Sequence, residues 1–128
     1  MTGPAPAVVD TDVTDHTVRR VHTHLRDVTA RLSPDEEVTA ADVRVAQQSM
    51  GAAEHALGSL VHDPWEPSVG PIRNAREVLS SHLLAADACE GADVAAPVTA
   101  QVLRRGAESA RRILAGHEPS RRRPDPHL

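Results

Sequence analysis

The sequence predicts an all-α fold, a small antiparallel four-helix bundle with disordered N- and C-terminal tails. Three observations lead there. Apolar residues recur at three- and four-residue spacing in four successive segments, and no stretch alternates strictly enough to draw a strand. The prolines fall before, between and after those segments, or in their first turns. The chain has 128 residues, which suits one domain with a real core. The expected boundaries are a disordered segment over 1–12, the bundle over 13–116 and an Arg/Pro-rich tail over 117–128.

Residues 1–12 are rich in Pro, Ala and Asp, a composition that argues against fixed structure. The first helix is expected from about Thr14 to Leu32, where Val18, Val21, Leu25, Val28 and Leu32 draw one apolar seam. Two capping signals follow. "SPDE" at Ser33 puts a serine, a proline and a glutamate at cap spacing, and "TAAD" at Thr39 is a weaker version. A turn over 33–38 and a helix over about 39–62 are expected. Its seam is Val43, Ala46, Met50, Ala53, Leu57 and Leu60. "DPWEPSVGP" must then be a loop. The third helix is expected over 71–89, with Ile72, Ala75, Leu79, Leu83 and Ala86 inward and Gly91 ending it. The fourth starts near Asp93 as N-cap, with Pro97 in its first turn. Leu103, Ala107, Ala110 and Leu114 face inward, and Gly116 is the expected C-cap. Seams this rich in alanine leave little bulk, so self-association is also expected.

Composition bounds the function. All 14 basic residues are Arg, and the chain has one Trp and no Phe or Tyr, a bias typical of high-GC coding. The net charge of -4 works against whole-protein attraction to nucleic acid. The charge is uneven, however: residues 97–128 carry +4 and residues 1–96 carry -8. No apolar run approaches the ~20 residues of a membrane span, and "MTGPAPAVVDTDVTD" lacks the basic start and apolar core of a secretory signal. The single Cys89 has no internal disulfide partner. A cytoplasmic location is the expectation.

Candidate chemistry is sparse. His55 and His62 share a helix face but lie about 10 Å apart along the axis, too far to ligate one ion. Glu54 borders the seam while His55 faces away from it. His22 and His24 point about 160° apart on a helix and flank the seam on opposite sides. His82, between Leu79 and Leu83, reads as a core-edge histidine with a hydrogen-bond partner, and is the best candidate for a ligand-contacting group. Cys89 at a helix C-terminus is poorly placed to be a thiolate. Arg104, Arg105, Arg111 and Arg112 recur at seven-residue spacing as one basic face on the fourth helix, followed by Arg121, Arg122 and Arg123 in the tail. Such a face could track phosphate or an acidic partner, and otherwise is a solvated face that balances the acidic remainder. Trp65 is expected to be at least partly buried, capping one end of the bundle, with partner contact as the alternative.

The segments "ARLSPDE", "AQQSMGAAEHAL" and "GPIRNAREVLSSHLL" resemble small all-helical actinobacterial proteins of unknown function labelled natural product biosynthesis proteins. The resemblance covers about half the chain, from Leu25 to Leu84, and brings no catalytic residues with it. It implies an accessory protein of specialised metabolism. The leading expectation is therefore a non-enzymatic helical accessory or protein-interaction protein, binding another protein or a second copy of itself through Trp65, His82 or the four arginines. Two alternatives stand beside it. One is a small-molecule or metal-binding bundle acting as an enzyme subunit, with His82 beside Glu77 or His22. The other is a weak nucleic-acid binder through the Arg face. No cofactor, metal or membrane is expected.

Overall fold

A computed structural model describes residues 6–63 and 65–117. The helices are α1 (Pro6–Arg31), α2 (Ala40–Gly58), α3 (Gly70–Gly91) and α4 (Ala96–Leu114), with a short 3-10 turn at Pro67–Val69. Short connections make consecutive helices antiparallel neighbours. Each helix packs on the next and α1 closes on α4; α2 also touches α4 across the core. No helix among the described residues is long and apolar enough to cross a membrane.

The seams bury as their spacing requires. Val18, Val21, Leu25, Val28 and Leu32 of the first seam join Val43, Ala46, Met50, Ala53 and Leu57 of α2 in one core. Ile72, Ala75, Leu79 and Ala86 of α3 and Leu103, Ala107, Ala110 and Leu114 of α4 complete it. Leu60 and Leu83 are only partly buried, at its margin.

Four boundaries differ from expectation. α1 begins at Pro6, so 6–12 are helical backbone. Proline is tolerated in a helix's first turn, and nothing between Ala7 and Thr14 breaks the run. α2 ends at Gly58, not near 62, because Leu60 and Val61 turn back onto the carbonyls of Leu57 and Gly58. Asp93 does not cap α4. It takes a left-handed backbone, φ 57°, just past α3. Its N–H donates to Glu90 O and that of Val94 to Cys89 O, the paired bonds that close a helix C-terminus. α4 starts instead after Ala95, with no side-chain cap. Gly116 is likewise one residue past the cap, which is Ala115. The tail beyond His117 lies outside the described residues, as do residues 1–5.

Thr39 does cap α2. Its hydroxyl accepts from Asp42 N–H at 3.2 Å, and its own N–H donates to the Asp42 carboxylate at 3.0 Å. Arg31 reaches the same carboxylate at 3.4 Å, tying the end of α1 to the start of α2. These contacts, the Thr39 N–H first, hold the Asp42 carboxyl below its usual range.

α3 and α4 share the most extensive helix contact, and one glycine lies at a tight point in it. Gly106 is buried, and a Cβ built on it would lie 2.6 Å from His82 Cβ and 2.7 Å from Cγ. The His82 Cβ is fixed to the α3 backbone and cannot swing aside. Ala107 and Ala110 extend the same thin face. Gly106→Ala gains up to about 1 kcal/mol of helix propensity but overpacks a tight site at about 1–3 kcal/mol. A net loss of roughly 1–2 kcal/mol is expected in urea unfolding, and the penalty should shrink in a His82→Gly background.

Candidate functional site

Trp65 is not buried. It lies 86% exposed in the loop between α2 and α3, contrary to the expected end cap. The end of the bundle is closed without the ring, by buried Leu57, Ile72 and Leu114 with Leu60 and Val61 packed against them. Asp63 directs the loop outward. Its carboxylate accepts the Trp65 N–H at 3.0 Å and its carbonyl the Glu66 N–H at 3.0 Å, an Asx-type turn. Glu66 then accepts from Val69 N–H across the 3-10 turn. The only aromatic ring of the chain thus stands in solvent on a braced loop, flanked by Asp63 and Glu66.

His82 is a packing residue. Its ring is half-buried over Gly106, and Nδ1–H donates to Val78 O at 2.9 Å. It does not meet Glu77 or His22 in a common pocket: Glu77 is exposed, and His22 belongs to the α1/α4 seam. His55 and His62 are exposed, as helix geometry and a loop position dictate. Cys89 is a half-buried free thiol. Among the described residues, no group of three His, Cys, Asp or Glu side chains is placed to hold a metal ion.

One cluster of titratable groups is not evident from the sequence. A cleft of about 300 Å³ between α1 and the end of α4 is lined by Asp15, Arg19, His22 and His117 over Val18 and Leu114. His117 Nε2 lies 3.4 Å from the Asp15 carboxylate. The His22 ring also reaches the Leu114 carbonyl. Burial, then the neighbouring Arg111 guanidinium, holds the His22 imidazole below its ordinary value of 6.5, although the bond to Leu114 works the other way. The two histidines are distant in sequence, and only the closure of α1 on α4 joins them. The sole signal in the sequence was that His22 borders a seam.

The arginine face divides in two. Arg104 and Arg111 flank the buried stripe of α4, half-buried, each with its Nε shielded from water and without a hydrogen-bond partner. Arg105 and Arg112 are exposed on the outer side. Glu108 lies three or four residues from all four, so helix geometry puts a carboxylate in the middle of the face. Arg121, Arg122 and Arg123 lie outside the described residues. No known protein family, curated protein or solved structure matches the chain.

Two outcomes follow for stability. Trp65→Ala removes a ring that packs against little, and should change unfolding free energy by no more than about 0.5 kcal/mol; a large drop in melting temperature would mean that the ring is buried. For His22 the lowered value means that the unfolded chain takes up the proton first as pH falls. The stabilisation is therefore present above about pH 6.5 and is lost as pH falls below it, down to the value in the folded protein. Urea unfolding of His22→Gln at pH 7 and pH 5 should show a smaller loss on acidification than the unaltered protein.

Proposed function

We propose that this protein is a non-enzymatic helical accessory protein that binds another protein through the loop carrying Trp65. The observation that supports the reading is the exposure of that ring, at 86%, in a bundle whose core is closed without it. Exposing a large apolar ring to water is unfavourable, and tryptophan is among the residues that most often anchor interfaces. The anchor is pre-set: the Asp63 turn fixes the loop, so less ordering entropy opposes binding. The carboxylates of Asp63 and Glu66 beside it define the complement. The partner offers an apolar pocket for the indole with Arg or Lys at its rim. The likeness to actinobacterial proteins of specialised metabolism points to a component of such a pathway as the partner.

Nucleic acid suits the surface less well. Two of the four arginines are drawn into the α1/α4 seam, and Glu108 interrupts the rest.

The test is comparative capture from the native host. The unaltered chain and Trp65→Ala, matched for melting temperature, are used as baits, and the affinity of a protein retained by the first is measured for both. Loss of the ring should cost about 2 kcal/mol or more of binding, roughly thirty-fold. Double charge reversal at Asp63 and Glu66 should slow association. Equal affinity for both baits would refute the assignment.

A further inference from the structure

We propose that the cleft between α1 and the end of α4 is the seat for Trp65 of a second copy of this chain, so that two copies exchange their rings in a resting dimer. The proposal rests on the reading of Trp65 as an interface anchor, and adds where the ring goes when no foreign partner holds it.

Topology sets the two features up for such an exchange. α2 finishes at Gly58, α3 begins at Gly70 and α4 finishes at Leu114, so the Trp65 loop and the cleft are at the same end of the bundle. α1 packs on α2 and α4 but not on α3. The α1/α4 edge, which holds the cleft, is therefore opposite the α2/α3 edge, which carries the ring. The loop braced by Asp63 cannot take the ring across the bundle to its own cleft. A two-fold axis laid across this end, parallel to the two edges, turns the α2/α3 edge of one copy onto the α1/α4 edge of the other. Both rings then meet both clefts at once, a closed isologous contact.

The chemistry of the cleft matches the loop. Its volume, about 300 Å³, is at the low end for ligand sites and suits one large side chain. Buried Val18 and Leu114 form an apolar floor. Arg19 at the rim and Arg111 beside His22 outweigh Asp15, which His117 holds at 3.4 Å. The ring comes flanked by the carboxylates of Asp63 and Glu66, so a net positive seat meets a negative anchor. An aromatic side chain buries about 150–250 Å², and two of them fall well short of the ~1,200–2,000 Å² of a stable interface. The dimer is therefore weak, forming at tens of micromolar and above, and a better-fitting partner displaces it.

The test uses purified full-length chain, with Trp65 as the single fluorophore. The mass by sedimentation should rise from monomer towards dimer up to several hundred micromolar, and Trp65→Ala should stay monomeric. Trp65→Ala is itself dark and keeps its cleft. Added in excess to dilute unaltered chain, it should shift the emission to the blue and shield the ring from acrylamide. Ala115→Glu, placed in the dark chain, puts bulk and negative charge at an exposed position of the cleft and should abolish that shift. Arg19→Glu, also at an exposed position, is the cross-check should the first variant unfold, and should weaken the contact about ten-fold. Three results would overturn the proposal: a monomer at several hundred micromolar; a dimer whose ring stays open to acrylamide; or a blue shift that survives both cleft variants. None of these touches the capture of a foreign protein through Trp65, which equal affinity for the two baits alone would refute.

Discussion

The close contact of α3 with α4 governs this molecule. With no Phe or Tyr in the chain and its one Trp in solvent, the interior must be filled by Val, Leu, Ile, Met and Ala. Side chains of that size fill a bundle at interior density only if the backbones come near one another. Gly106 permits it by leaving room for His82 where any Cβ would collide, and Ala107 and Ala110 carry the approach along α4. His82 satisfies its own Nδ1–H on the Val78 carbonyl, so the contact buries little unmet polarity. A residue that reads as candidate chemistry in the sequence is thus spent on packing.

The α1/α4 seam has the opposite character. Among the described residues, a cleft at each end of it is lined by charged or titratable groups. Arg104 and Arg111 lie along it with shielded Nε atoms. His22 reaches the end of α4 at the Leu114 carbonyl. Apolar economy is concentrated on α3/α4, and the polar capacity of the interior on α1/α4. The loop between α2 and α3 belongs to neither. It is held by Asp63 and a 3-10 turn, which lets a large ring stand outside without loosening the core.

The helices were legible because burial follows period. The seam residues of all four segments enter the core, except Leu60 and Leu83 at its margin, and the Thr39 cap is where its sequence signal places it. What was not legible depended on three-dimensional choices. Asp93 looks like an N-cap by residue type, yet aspartate also tolerates the left-handed turn that ends α3, and spacing cannot separate the two. Trp65 looks like core by scarcity and hydrophobicity, but Leu57, Ile72 and Leu114 already close that end. His117 reads as part of the tail, so its meeting with Asp15 cannot be foreseen from either neighbourhood. Arg104 was legible as a basic residue on α4, but its shielding beside α1 depends on how the helices close.

The central claim is that the bundle completes its core without its only aromatic ring and holds that ring out for a partner. Acrylamide quenching of the intrinsic fluorescence, from a single source, tests it most directly. At sub-micromolar concentration the account predicts an emission maximum and a quenching constant close to those of free N-acetyl-tryptophanamide. A blue-shifted emission shielded from acrylamide in the folded protein would place the ring inside and contradict the account.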